Sequence, residues 1–422
     1  MTAGPILDIE ALGRRAEAMI RALAAISAEE GRITRLYLTP EHRRAADLVA
    51  SWMQAAGLVV SEDALGTVRG RLPAEAERQG ANGARRLLLG SHIDTVIDAG
   101  AYDGNLGVVA GILAAEHIAR SRGAMPFGID VLAFGDEEGS RFPATLLCSG
   151  AVAGHFDPGA LAVESVDGIT LEAALRAYGG DPGAIAQAAC DPAEAAAYVE
   201  VHIEQGPVLE AEGEALGVVT AIAGQTRLSV TVVGEAGHAG TVPMALRRDA
   251  LAASAEIMGL VEAIGRDNAA DFTVATVGKL TLSPGASNVI PARVVFTVDL
   301  RSQTDTVREA ALTRLRDGVE AIAARRRVTA WMERVHEVGA TACDAGLQAG
   351  LGAAIEAGGG RALRLASGAG HDGQAMGRLC PIAMLFVRCR GGVSHNPAEF
   401  VSTADMGRAV AALIRFVEGF GG

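Results

Sequence analysis

Nitrogen and oxygen donors gather at a few points in this chain, at spacings a metal centre could use. Gly90-Ser91-His92-Ile93-Asp94-Thr95 is followed, after a short loop, by Asp103-Gly104-Asn105. A histidine at a strand end and a carboxylate just before a helix are a nitrogen and an oxygen ligand placed to meet over a sheet. Asp94, two residues beyond His92, can turn back to the imidazole N–H, fixing its tautomer and raising its basicity. A solvated loop with one histidine and several acids has the same composition, so this segment alone does not decide.

Asp136-Glu137-Glu138-Gly139-Ser140-Arg141-Phe142 adds weight. Adjacent carboxylates at the end of a buried strand repel each other and cost stability unless a cation neutralises them. One can bind the cation while its neighbour, pointing the other way, takes a proton from water. Acids in the first turn of an ordinary helix are the plainer alternative. Two more histidines complete the set, His202 in His202-Ile203-Glu204-Gln205-Gly206-Pro207 and His395 in Gly391-Gly392-Val393-Ser394-His395-Asn396-Pro397. Each follows an expected strand amid Gly and Pro, a poor setting for a core histidine. His117 falls on the apolar stripe of Leu106, Val109 and Leu113 and reads as packing, while His42, His155 and His336 have no comparable context.

These donors need elements to carry them. Short apolar runs at 87–89, 129–134, 198–201 and 381–387 each end in a polar or glycine-bearing turn, and a helical pattern covers 106–118. Strands alternating with helices predict an α/β domain, a mixed, mostly parallel sheet with helices on both faces, where ligands bind at the carboxyl ends of strands. The middle of the chain has another rhythm: strand 226–233, helix 248–264, strands 272–282 and 289–300, helix 306–325, strand 328–335. That βαββαβ order is ferredoxin-like. It predicts an α+β domain at 221–335 inserted into a first domain of residues 1–220 and 336–422. Two alanine-rich patches, 74–86 and 184–197, read as a surface loop and a helix.

With 422 residues, half of them hydrophobic and 21% charged, the chain can bury two sizeable cores. A net charge of −13 excludes nucleic acid and anionic membranes as partners, since both demand clustered Lys and Arg. A small-molecule partner is expected instead. Five scattered cysteines without a C-x-x-C pair do not form a disulfide framework, which points to a reducing, cytoplasmic setting. The first 22 residues lack the pattern of a signal peptide, and no apolar run is long enough to span a bilayer.

Together with His238 in Gly237-His238-Ala239-Gly240-Thr241, these motifs resemble the amidase/hydantoinase/carbamoylase family of dinuclear metallohydrolases, relatives of aminoacylase and carboxypeptidase G. The likeness runs from about Gly90 to the C-terminus through Gly-Ser-His-Ile-Asp-Thr, Asp-Glu-Glu-Gly-Ser-Arg-Phe, His-Ile-Glu-Gln-Gly-Pro, His-Ala-Gly-Thr and Ser-His-Asn-Pro. The resemblance implies two divalent metal ions per subunit, Zn or Mn, with Co or Ni also suited to such donors. One is implied to be held by His92, Asp103 and His202, the other by Glu138, His395 and the shared Asp103. Glu137 is the implied general base, with Asp94 counted in the catalytic set. Peptidase relatives tend to carry an acid where His202 stands, so His202 followed by Gln205 sides with the carbamoylases.

The same resemblance implies a substrate shell. Gln205 would meet the ureido end, His238 would stabilise developing negative charge, and Asn288 and Arg301 would grip a carboxylate, for which the Arg fork is matched. Without the resemblance, Arg301 reads as a surface arginine closing a strand. The implied reaction is metal-dependent hydrolysis of a linear ureido amide that releases ammonia. The substrate would be an N-carbamoyl-L-amino acid, allantoate or N-carbamoyl-β-alanine, and the 90–103 stretch with Ser140-Arg141-Phe142-Pro143 looks more like the allantoate amidohydrolases. The inserted domain would act as a lid and pair two subunits into a homodimer. A metallopeptidase or aminoacylase with the same metals, a non-catalytic small-molecule-binding protein and a scaffold are the competing readings. The glycine-rich segment 367–373 either lines the site or is a turn, and Arg227 either joins the substrate shell or pairs with a surface acid.

Overall fold

The computed structural model describes residues 7–81, 83–122 and 125–421. The chain divides into two compact units: one runs through residue 220 and resumes at 343–365 and 369–422, and the other comprises 221–342 and 366–368.

Strands of the first unit are β1 (Val59–Glu62), β2 (Val68–Leu72), β3 (Arg86–His92), β4 (Gly128–Phe134), β5 (Ala195–Ile203) and β6 (Leu216–Ile222). The second carries β7 (Gly224–Val233), β8 (Gly237–His238), β9 (Val274–Ser283), β10 (Val289–Ile290), β11 (Arg293–Ser302) and β12 (Thr329–Val338). Short β13 (Thr341–Ala342) and then β14 (Leu363–Ser367) and β15 (Ile382–Val387) follow. The longer helices are α1 (Ile9–Ala24), α2 (Pro40–Ala55), α3 (Asn105–Ser121), α4 (Ala250–Asp267), α5 (Asp305–Arg326), α6 (Ala345–Glu356) and α7 (Thr403–Gly419).

The nine-stranded sheet has the order β1-β2-β4-β3-β5-β15-β6-β13, with β14 also on β6. Its central strands β4, β3, β5 and β15 are parallel and its flanks antiparallel, so the expected mixed α/β sheet is present. Every residue of β3, β4, β5 and β15 is buried, as parallel strands covered on both faces must be. One face packs against α2, α3, α6 and α7 around Leu87, Leu89, Val131, Val199 and Leu385, and α1 packs on α3 and α7. The short helices Leu147–Val152 and Asp372–Met376 lie on the other face. Helix α3 is buried almost all round, from Asn105 to Ile118, which a central helix hydrophobic on all sides requires.

The second unit runs β7-α4-β9-β11-α5-β12, with an antiparallel sheet ordered β12-β7-β11-β9. Along β11, Val294, Phe296, Val298 and Leu300 are buried in a core with Ile257, Val261, Leu312 and Leu315 of the two helices. By the two-residue period of a strand, Thr297, Asp299 and Arg301 face the open side. The single strand expected at 289–300 is two: β10 pairs with β8, and β11 begins at Arg293. Pro291 interrupts them, having no N–H for the ladder. The alanine-rich 184–197 segment is not a helix throughout. Its start is a 3-10 turn (Pro182–Ala188) and its end opens β5, where pairing with β3 overrides alanine's helix propensity. Nor is 74–86 only a surface loop, because Glu75–Arg78 is helical and Arg86 is buried, bonded to Asp130 and Glu77.

Candidate metal centre

Because β3, β4, β5 and β15 are parallel, their carboxyl ends fall along one edge, and the segments leaving them deliver the donors there. His92 is the last residue of β3 and Asp103 precedes α3. Glu137 and Glu138 follow β4, and His395 lies eight residues past β15. His202 lies within β5 rather than after it, because it is buried at 2% exposure and the strand continues through Ile203.

Asp103 is the hinge of the cluster. Its Oδ1 lies 3.0 Å from His202 Nε2 and 3.7 Å from His92 Nε2, and its Oδ2 lies 3.2 Å from His395 Nε2. His395 Nε2 is also 3.6 Å from Glu138 Oε2. Donor atoms of His92, Asp103 and His202 all lie within 4.8 Å of one another, as do those of Asp103, Glu138 and His395. Imidazole and carboxylate donors in two such triads sharing one carboxylate suit borderline divalent cations. Glu138 Oε1 is buried without a hydrogen-bond partner, a vacancy in its bonding that a cation could fill.

The second ring nitrogens are held from behind. His92 Nδ1 lies 3.3 Å from Asp94 Oδ1 and 3.2 Å from the Asp94 carbonyl oxygen, and His202 Nδ1 lies 2.9 Å from the Ile203 carbonyl oxygen. Both contacts leave Nε2 aimed at Asp103. The Asp94 carboxylate also accepts the main-chain N–H groups of Glu137 and Glu138, each at 3.2 Å. Gly104 adopts φ +65°, and a Cβ there would come within 2.5 Å of the His92 ring, so only glycine lets α3 start this close.

Electrostatics follow from burial and crowding. Burial, opposed by His92 and reinforced by Glu138, raises the Glu137 pKa well above the usual carboxylate range. Burial and Asp103 push Glu138 up to about 7. Burial would raise Asp103 as well, but His202, with His395 and His92, holds it well below its ordinary value. The hydrogen bond to Asp103 lifts His395 to about 9. Acids held together at this cost are what a divalent cation would relieve.

Gln205 stands over the same carboxylate. Its Nε2 donates to Asp103 Oδ2 at 2.9 Å and to Ser394 Oγ at 3.0 Å, while Ser394 Oγ donates to Asp103 Oδ2 at 2.8 Å. Gln205 and His395 both take left-handed backbone conformations, φ 56° and 53°. For residues other than glycine this costs on the order of 1–2 kcal/mol each, strain that clusters at functional positions.

His238, Asn288 and Arg301 belong to the second unit. His238 on β8 pairs with Val289 on β10, and the Ala239 N–H donates to the Asn288 carbonyl oxygen, so the two residues are neighbours. His238 Nδ1 accepts the Gly240 N–H at 3.0 Å, which leaves the ring proton on Nε2. Arg301 donates from Nε and Nη2 to the two oxygens of Asp299, at 2.9 and 3.0 Å, and from Nη1 to the Gly368 carbonyl oxygen at 2.6 Å. Arg227 and Gln225 donate to the same Asp299 carboxylate, so Arg227 is tied to that acid.

Other residues join the cluster besides the expected donors. Ser394, inside a quoted motif, bonds Asp103. Glu200, two residues before His202 on the same strand face, accepts from Ser91 Oγ, Tyr198 OH and the Gly373 N–H. The His371 ring meets the His202 ring edge-on at 4.4 Å, which brings the glycine-rich 367–373 segment to the cluster. Glu399 accepts the N–H groups of Tyr102 and Asp103, and its place four residues after His395 was the one available signal. His117 lies on α3 away from the cluster.

A dinuclear-type cluster at the carboxyl edge of a mixed α/β sheet, with a ferredoxin-like insert, defines a class of two-unit hydrolases. The chain belongs to the peptidase family M20/M25/M40, whose model matches residues 88–419, and within it to the hydantoinase/carbamoylase amidases. It is 41% identical to a probable allantoate deiminase of Oryza sativa subsp. japonica, covering 94% of this chain and 87% of that protein. It is 43% identical to an N-carbamoyl-L-amino acid amidohydrolase of Geobacillus stearothermophilus, covering 89% and 90%. A hydantoinase/carbamoylase family amidase from Burkholderia multivorans superposes with a TM-score of 0.88 at 34% identity, covering 96% of each chain. No helix among the described residues is long and apolar enough to cross a membrane.

Proposed function

We propose that this protein is a metal-dependent amidohydrolase that removes the carbamoyl group of a small ureido acid, an N-carbamoyl-L-amino acid or allantoate, and releases ammonia. The observation that carries the reading is Asp103 presenting one oxygen to His92 and His202 and the other to His395 beside Glu138. His92, Asp103 and His202 would hold one divalent ion, and Asp103, Glu138 and His395 the other, with Zn or Mn the first candidates and Co or Ni also compatible. Such ions supply an acidified water and a Lewis acid for the substrate carbonyl oxygen.

The chain's own groups do the rest. Glu137, half-buried beside the cluster with a raised pKa, takes the proton of the attacking water and returns it to the leaving nitrogen as the C–N bond breaks. The carbamate so released decomposes to ammonia and carbon dioxide. Asp94 holds the His92 ring and the turn bearing Glu137. Gln205 Oε1, which has no hydrogen-bond partner, serves the ureido end, and the His238 Nε2–H stabilises a developing oxyanion. Arg301, braced by Asp299, keeps guanidinium N–H groups for the substrate carboxylate, with Asn288 beside His238 as a second polar contact. Relatives named for allantoate and for N-carbamoyl-L-amino acids at similar identity support the ureido class as a whole.

The insert is proposed as the lid and as the pairing surface of a homodimer. Its sheet has edge strands β9 and β12 with exposed Leu280, Leu282, Trp331 and Val335. Sedimentation of the purified protein should give twice the monomer mass, and a monomer throughout would remove this part of the reading.

The decisive test is ammonia release from N-carbamoyl-L-amino acids, N-carbamoyl-β-alanine, allantoate and dipeptides, before and after chelation and with Mn or Zn restored. Metal-restored release from one ureido acid is expected. Dipeptide cleavage alone would move the protein to the peptidase side, and silence across the panel would overturn the enzymatic reading.

A further inference from the structure

The loop that leaves β3 at His92 and ends at Asn105 supplies Asp94 and Asp103, yet it has no regular secondary structure of its own between Ile93 and Gly104. Two buried ionisable side chains from distant parts of the sequence hold its main chain. Arg35, with no exposed surface, donates Nε to the Ile93 carbonyl oxygen at 2.7 Å and Nη2 to Asn105 Oδ1 at 2.8 Å. Its Nη1 reaches the Leu23 carbonyl oxygen at 2.8 Å and the Ile26 carbonyl oxygen at 3.1 Å, at the end of α1. The Arg35 main chain adds two bonds: its N–H donates to Thr95 Oγ1, and the Thr95 N–H donates to its carbonyl. A guanidinium buried with its N–H groups directed at neutral oxygens, rather than at a carboxylate, is a costly device unless it fixes something.

Glu399 works on the opposite polarity. Its Oε1 accepts the Tyr102 N–H at 2.7 Å and the Asp103 N–H at 3.2 Å. Its side chain lies so close to Gly100 that a Cβ there would come within 2.4 Å of it. Glu399 is also tied to the His395 turn, because its own N–H donates to the Asn396 carbonyl oxygen. One loop therefore has carbonyl and amide oxygens at its two ends held by a cation, and the amides beside its key acid held by a carboxyl group.

We infer that Arg35 and Glu399 are positioning residues that set the affinity of the metal centre by fixing where the Ile93–Asn105 loop places Asp94 and Asp103, Glu399 also coupling Asp103 to the His395 turn. The inference rests on the proposed metal centre. Neither side chain needs to touch metal or substrate. Outer groups of this kind, when removed, typically lower metal affinity or activity by about 10–100-fold.

The test is metal affinity by chelator competition, the visible spectrum of the Co-loaded protein, and the melting midpoint of the metal-free protein. The variants are Arg35→Lys, Glu399→Met and Glu399→Gln. Lysine keeps the charge but cannot span acceptors on α1, β3's exit and α3 together, and methionine removes the acceptor of two amides, while glutamine retains one. Arg35→Lys and Glu399→Met are expected to weaken binding of at least one ion by about tenfold or more and to change the Co spectrum, with Glu399→Gln restoring most of the affinity. Should Arg35→Lys fail to fold, the two Glu399 variants carry the test. A lower melting midpoint with unchanged affinities and spectrum would assign both residues a merely structural role and overturn the inference. A wild-type protein that takes up no metal would instead bring down the proposed centre itself.

Discussion

The carboxylate of Asp94 accepts the main-chain N–H of Glu137 at 3.2 Å. The group behind the His92 ring is thus also the anchor of the turn that carries the proposed base, with the Glu138 N–H bonded to its other oxygen. Both oxygens face donors. Asp94→Asn would turn an NH2 toward one of those N–H groups or toward His92 Nδ1. We expect metal affinity or kcat/KM to fall about 10–100-fold, measured by metal titration and steady-state ammonia release, and unchanged values would mean that neither oxygen matters.

Glu137 is half-buried with its Oε2 4.0 Å from His92 Nε2, close to the cluster but outside both sets assigned to the ions. Glu137→Gln should leave metal content intact and lower kcat by about 10²–10⁴-fold, the usual worth of a positioned general base. Metal analysis alongside single-turnover rates checks both halves. A variant at wild-type speed would leave the base unassigned.

Arg301 makes a two-pronged contact with Asp299, a geometry that a lysine cannot reproduce. Arg301→Lys should raise KM for carboxylate-bearing ureido substrates by about tenfold or more, equivalent to roughly 1.4 kcal/mol. An analogue lacking the carboxylate should be affected far less. Equal losses on both would place the role of Arg301 in the sheet rather than in recognition.

His42, which is not among the proposed metal ligands, gives a pH signature of its own. Its ring is fully buried beside Tyr37 and Tyr178, and neither nitrogen has a hydrogen-bond partner. Burial, partly opposed by Asp94, lowers its pKa to about 3. The unfolded chain, with a histidine pKa of about 6.5, binds the proton first. The folded state is therefore fully favoured by this group above about pH 6.5 and loses up to about 1.4 kcal/mol per unit as pH falls toward 3. Urea midpoints between pH 7 and 5 should fall less steeply for His42→Gln than for the wild type, whatever the variant's stability at pH 7. Parallel slopes would show that His42 does not carry the effect.

His92, Glu137 and Glu138 are legible because they stand where a buried apolar strand meets a polar turn, a contrast that sequence displays directly. Less visible were the details that depend on partners far along the chain. The apolar run before His202 stops at Val201, but β5 continues because the imidazole is satisfied inside the sheet by the Ile203 carbonyl and Asp103. Alanines 195–197 carry a helical preference that only their pairing with β3 overrules. Arg35 is one of two arginines in a loop between two helices, and nothing nearby announces that its acceptors are Ile93 and Asn105, about 60 and 70 residues away. Glu399 is silent in the sequence for the same reason, since its bond to Asp103 spans 296 residues. Pro291 could have been read as a strand break from its missing N–H alone.

The strand order has a consequence for how the molecule is made. β15 is the last strand in the chain, yet it lies between β5 and β6. While the polypeptide emerges from the ribosome, the sheet has a gap at its middle that only residues 382–387 can fill, whereas the insert completes its own core once β12 has appeared. His395 arrives later still. A chain cut short after Cys380 loses a central strand together with that histidine, so premature termination near the end leaves an open sheet exposed to aggregation rather than an enzyme missing one ligand.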